Sequence, residues 1–96
     1  MRQMQPTSVK AHVIIYSRPG CHLCDEAKQT IEAAGCRDEY TLEEINIESD
    51  PELLRRYQYE IPVITIDGVE AFRHRLTREG FLQKLRRSGG KPAFPT

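Results

Sequence analysis

The chain reads as an α/β domain built on a four-stranded mixed sheet flanked by three helices. Three observations predict this. Apolar segments follow one another as strand, helix, strand, helix, hairpin, helix. A leading strand–helix–strand unit must cross over right-handed, which sets its two strands parallel. An Asp-Gly pair between two short apolar runs then marks a hairpin, which extends the same sheet antiparallel. The 96 residues leave room for a single domain. It is expected over residues 10–88, with a flexible arm at 1–9 carrying Pro6, Thr7 and Ser8, and a flexible Pro-containing tail at 89–96.

The elements can be justified in order. His12 to Tyr16 is a short apolar run bounded by Ser17-Arg18-Pro19-Gly20, as a buried central strand requires. From Leu23, apolar residues recur at Ala27, Ile31 and Ala34, one stripe at helical spacing, and Gly35 is the stop. Tyr40 to Ile47 reads as a strand carrying Leu42, Ile45 and Ile47, but its alternation slips at Glu43-Glu44, which leaves room for a bulge. Ser49-Asp50-Pro51-Glu52 starts the next helix in one of two ways. Either Ser49 caps it with Glu52 closing a capping box, or Asp50 caps it with Pro51 as first helical residue. Leu53, Leu54 and Tyr57 supply its buried face. Pro62 to Ile66 and Val69 to Arg73 flank Asp67-Gly68 as hairpin strands. Thr77 can cap a last helix that buries Phe81, Leu82 and Leu85 and ends at Ser88-Gly89-Gly90.

Bulk properties narrow the function classes. The composition, 39% hydrophobic and 29% charged, fits a small packed core rather than disorder. A formal net charge of zero gives no pull towards nucleic acid or an anionic membrane, so neither is expected as a partner. The apolar runs are far shorter than a bilayer span, and Met1 to Lys10 lacks the apolar core of a signal peptide. A reducing cytoplasmic setting follows as the expectation. There, the three cysteines point to catalysis or metal binding before a structural disulfide.

The pair Cys21-His22-Leu23-Cys24 directly follows the first strand and opens the first helix. Unpaired N–H groups and the positive end of the helix dipole converge there, and both favour thiolate over thiol. Cys24 lies within the same turn, close enough to close a disulfide with Cys21. Cys21 is therefore the candidate nucleophile, Arg18 a cation that can stabilise its thiolate, and Cys24 the resolving thiol. The bland alternative, two small core residues, fits poorly with Pro19-Gly20 before the pair and a polar His22 inside it. Cys36, after Gly35, reads as a lone packed or surface thiol without a role. His12 and His74 are isolated, and no second C-x-x-C completes a zinc site, so no metal ligands are assigned.

Taken together, Tyr16-Ser17-Arg18-Pro19-Gly20-Cys21-His22-Leu23-Cys24, Ile61-Pro62 opening the hairpin strand, and Asp67-Gly68 in its turn resemble a glutaredoxin or glutaredoxin-like protein of the thioredoxin superfamily. The likeness spans roughly His12 to Leu85. It implies a thioredoxin-like fold, thiol–disulfide oxidoreductase activity, and roles in electron transport and cell redox homeostasis. It implies a cis peptide before Pro62, with the Ile61 backbone pairing to an extended substrate. It further implies thiol or disulfide substrates, a reductase as donor, glutathione as a candidate electron donor, and no required cofactor; a monomer is the default expectation for so small a charged surface. Departures from the family pattern are specific. Glu60-Ile61 stands where Thr-Val is usual, His-Leu replaces Pro-Tyr inside the motif, and Arg73-His74-Arg75-Leu76-Thr77 lacks the usual Gly-Gly and acid. Arg73 and Arg75, with Arg78, are either a solvated face or a carboxylate grip that takes over from the missing glycines. Two other functions compete: an iron–sulfur or metal-binding module, and a redox-silent thioredoxin-fold adaptor.

Overall fold

A computed structural model of the chain describes residues 10–88; the arm expected at 1–9 and the tail expected at 89–96 lie outside the described residues. Seven principal elements follow in order: β1 (Ala11–Ser17), α1 (His22–Ala33), β2 (Tyr40–Asn46), α2 (Pro51–Tyr57), β3 (Val63–Ile66), β4 (Val69–Arg73) and α3 (Arg78–Ser88). Short 3-10 turns at Arg37–Glu39 and Ile47–Ser49 lead into β2 and α2. The sheet order is β2-β1-β3-β4, with β1 and β2 parallel and the other neighbours antiparallel. This is the four-stranded mixed sheet with three helices that the element order predicts.

Alternation along β1 sorts the two faces. Ala11, Val13 and Ile15 are buried on the side covered by α1 and α3, where they meet Ala27, Ile31, Ile64, Ile66, Phe81 and Leu85. Tyr40 closes this core with its ring edge-on to Phe81, centroids 5.6 Å apart, and its hydroxyl donates to the Ile31 carbonyl at 3.3 Å. On the opposite face α2 brings Tyr57, Leu53 and Leu54 to Ile47, Val63, Tyr16 and Ile61. Within this second cluster the Tyr16 ring lies 5.0 Å from that of Tyr57. β3 is buried along its whole length because it sits inside the sheet with helices on both sides.

Local chemistry sets the element ends. Asp50, not Ser49, caps α2: its carboxylate accepts the Glu52 N–H at 2.8 Å, and Pro51 takes the first helical position. Thr77 caps α3 through its hydroxyl, which accepts the Gly80 N–H at 3.0 Å. Asp67 and Gly68 both have positive φ, 52° and 84°, the left-handed pair that a two-residue hairpin turn of matching twist demands. One expectation is corrected. β2 pairs with β1 without interruption from Ala11↔Tyr40 to Ser17↔Asn46, so no bulge interrupts it, and Ile47 falls outside the strand. Glu43 and Glu44 are both exposed because β2 is an edge strand, whose open side tolerates charge in either direction. The irregularity lies instead between β3 and β4, where Ile64 faces Phe72 and Thr65 faces Glu70, leaving Ala71 as the extra residue.

Candidate active site

Strand register gathers the chemistry at one end of the sheet. Ser17 ends β1 opposite Asn46, and Val63 pairs with Tyr16 on one side and Arg73 on the other. The segments just beyond these residues therefore share that end: Arg18 to Cys21, Ile47 to Asp50, Tyr59 to Pro62, and His74 to Thr77. In open α/β sheets this carboxyl end of the parallel strands is where ligands bind.

Cys21 occupies the N-cap of α1. Its sulfur accepts the Cys24 N–H at 3.1 Å and its carbonyl accepts the Asp25 N–H at 3.2 Å. The turn that delivers it runs through Gly20, at a φ of 81° that a side chain would strain, and is closed by the Cys21 N–H donating to the Arg18 carbonyl. Cys21 is half-buried, whereas Cys24 is 3% exposed beneath it. The two sulfurs are paired as a disulfide, with their Cα atoms 5.2 Å apart. An N-cap position aims the free N–H groups of the first turn at a reduced Cys21 sulfur, which holds a thiolate in preference to a thiol.

The other site residues take up different partners. Arg18 grips Glu48 by two nitrogens, at 2.8 and 3.2 Å, so its charge is already answered by a carboxylate. The Ile61–Pro62 peptide is cis. The Pro62 carbonyl accepts the His74 N–H at 2.8 Å, while the N–H and C=O of Ile61 form no hydrogen bond among the described residues. Arg73 pairs with Glu70 and with Glu60, the latter at 3.1 Å. That pairing raises the Arg73 guanidinium and holds the Glu70 carboxyl below its ordinary value. Arg75 is exposed and lines a groove of about 430 Å³ with Leu23, Ala27, Phe72, Leu76 and Thr77.

Behind the Cys21 turn, Glu44 accepts from the Ser17 hydroxyl at 2.9 Å and from Lys28 at 3.2 Å. The Ser17 hydrogen bond, then Lys28, holds the Glu44 carboxyl low against the opposing effect of burial. Cys36 is packed in the main core, and burial pushes its thiol up. Among the described residues no three His, Cys, Asp or Glu side chains converge as a metal-ligand set, and no helix is long and apolar enough to cross a membrane.

Sequence reasoning missed His74 as a structural residue of the site. It sits at a φ of 68°, with its ring nitrogen 3.3 Å from the Tyr59 carbonyl and 3.4 Å from Glu60. Nothing in the sequence around it marked this conformation, which a residue with a side chain adopts uncommonly. Glu48 and Glu60 had no local signal at all, because their partners lie 30 and 13 residues away.

Comparison with known proteins agrees with this geometry. A family model described as a glutaredoxin-like domain (DUF836) matches residues 12–86. A glutaredoxin-like protein of Dictyostelium discoideum is 32% identical over 74 residues, covering 71% of this chain and 68% of the relative. A Nitrosomonas europaea protein solved by solution NMR is similar at a TM-score of 0.67 and 26% identity, covering 85% of this chain and 94% of that one. A mutant thioredoxin from Halobacterium salinarum shares the fold at a TM-score of 0.62 and 13% identity, covering 91% of this chain and 82% of its own.

Proposed function

Since the chain belongs to the glutaredoxin-like domain (DUF836) family, we propose that it is a thiol–disulfide oxidoreductase cycling Cys21 and Cys24 between dithiol and disulfide. The observation that carries this reading is the placement of the Cys21 sulfur. It caps α1, is half-open to solvent, and has a buried Cys24 one turn away at disulfide distance.

The reaction follows from that asymmetry. The Cys21 thiolate attacks one sulfur of a substrate disulfide, and the other leaves with the bonding electron pair. Cys24 then gives up its proton, attacks the Cys21 sulfur and expels the substrate cysteine. The chain ends oxidised by two electrons and the substrate reduced by two. The helix N-terminus is the main source of thiolate stabilisation, because Glu48 offsets much of the Arg18 charge. An extended substrate can pair with the open N–H and C=O of Ile61 as an added strand, a contact that needs no particular side chain there. Glutathione or a reductase returns the electrons, in a reducing compartment.

The test is equilibration of the purified protein in glutathione redox buffers, followed by acid trapping, alkylation and intact mass. The expected result is a two-hydrogen mass loss confined to Cys21 and Cys24 with a defined midpoint. Thiols that stay reduced at every ratio, with no glutathione adduct, would falsify the proposal.

A further inference from the structure

The groove beside the C-x-x-C turn identifies a substrate class, an inference that rests on the thiol–disulfide reading above. Its floor is apolar, made by Leu23 and Ala27 of α1 and by Phe72 and Leu76 across from them. At about 430 Å³ it accommodates a bulky side chain together with some backbone. Leu23 lies between the two cysteines in the chain, so an occupant of the groove sits beside a substrate attached to Cys21.

The rims carry opposite charge, with the Glu26 carboxylate on the α1 side and the Arg75 guanidinium, next to His74, on the other. Arg18 and Arg73, which also flank the site, are each held by carboxylates of the chain itself. The Arg75 guanidinium meets no carboxylate at ion-pair distance among the described residues. Its rim is nonetheless fixed in place. His74 ties it to the cis-proline segment through its N–H on the Pro62 carbonyl and its ring against Tyr59 and Glu60. The groove is thus a preformed apolar slot with one unanswered cation at its edge, and Leu23 of the C-x-x-C turn forms part of its wall.

We propose that this groove selects protein disulfides in which a bulky apolar residue followed by an acidic one stands near the reacting cysteine. The apolar side chain fills the space between Leu23, Ala27, Phe72 and Leu76, and the carboxylate meets Arg75. Glu26 on the opposite rim repels an acid there, which sets the direction of the segment. Glutathione brings carboxylates but no bulky apolar side chain, so it leaves the floor uncovered.

The experiment follows the first exchange step with the reduced full-length chain. The probes are short capped peptides, each with one cysteine as its mixed disulfide with 2-nitro-5-thiobenzoate. A Leu-Asp pair is stepped along both sides of the cysteine, with Leu-Lys and Ala-Asp counterparts; the same derivative of glutathione and the symmetrical aromatic disulfide complete the set. Attack on the peptide sulfur releases the coloured thiolate. At its best position Leu-Asp is expected to react about tenfold faster than Ala-Asp, Leu-Lys or glutathione, and Arg75→Glu to reverse the order of Leu-Asp and Leu-Lys. Equal rates across the peptides and glutathione, or a loss in Arg75→Glu that is the same for Asp and Lys, overturn the inference while the oxidoreductase reading stands. Silence towards every probe, the aromatic disulfide included, overturns both.

Discussion

Cys21 and Cys24 are three residues apart yet meet very different surroundings: one half-open at a helix cap, the other 3% exposed beneath it. That difference assigns the roles and can be tested one sulfur at a time. Cys24→Ser is expected to accumulate a stable mixed disulfide at Cys21, since nothing within reach resolves it, whereas Cys21→Ser accumulates none; non-reducing electrophoresis after exposure to a protein disulfide distinguishes them. Cys36 should stand apart from both. Its thiol is buried in the core and pushed up by that burial, so iodoacetamide near neutral pH should label it well after Cys21 in the reduced native protein, as peptide mapping would show. Faster labelling of Cys36 than of Cys21 would contradict the assignment. At this scale the cysteine pair was legible in the sequence because its meaning lies in a four-residue spacing and its strand-to-helix setting. The partners Glu48 of Arg18 and Glu60 of Arg73 were not legible, because 30 and 13 residues separate the two pairs along the chain.

Among the elements, those with chemical punctuation were the ones the sequence located best. Pro51 and Asp50 start α2, Thr77 starts α3, and Asp67-Gly68 turns the hairpin, each by a contact within three residues. Asp50→Ala removes the acceptor for the Glu52 N–H and should cost about 1 kcal/mol in urea unfolding. Because α2 covers Val63 and Tyr16, the loss should appear in global stability rather than as local fraying; an unchanged midpoint would show that the cap is dispensable. β2 was the element read least well. Glu43 and Glu44 broke the alternation, and on a strand paired on both sides that would signal a bulge. On an edge strand the same two carboxylates simply find partners, Glu43 with His12 and Glu44 with Ser17 and Lys28. Edge or centre is a property of the assembled sheet, which periodicity along one segment does not contain.

For the whole molecule, a core this small concentrates stability in few side chains. Phe81 is fully buried and packs edge-on against Tyr40, so Phe81→Ala should cost about 3–5 kcal/mol. Against a total of about 5–15 kcal/mol for a domain, calorimetry should find it largely unfolded or melting far lower. Acid should act through the carboxyls that the fold holds low. Glu44 and Glu70 both lie below their ordinary 4.5. Their contribution is therefore complete above that value and is lost as pH falls through their lower folded values. Glu44→Gln should flatten the acid limb of a stability–pH profile and leave less stability to lose; an unaltered limb would show that the Ser17–Glu44–Lys28 contact does not contribute.

The sulfur that caps α1 also makes electron content and folding two linked variables. A thiolate accepts the Cys24 N–H more strongly than a disulfide sulfur does. Whatever the folded helix contributes to holding the thiolate is therefore returned, on reduction, as resistance to unfolding. Melting the two forms side by side closes a thermodynamic cycle. It reports how much more oxidising the folded pair is than the same four residues in the unfolded chain. A reduced form that melts higher marks a pair more oxidising than its unfolded counterpart, and an oxidised form that melts higher marks a more reducing one, so a thermometer can read what folding does to the pair's hold on electrons.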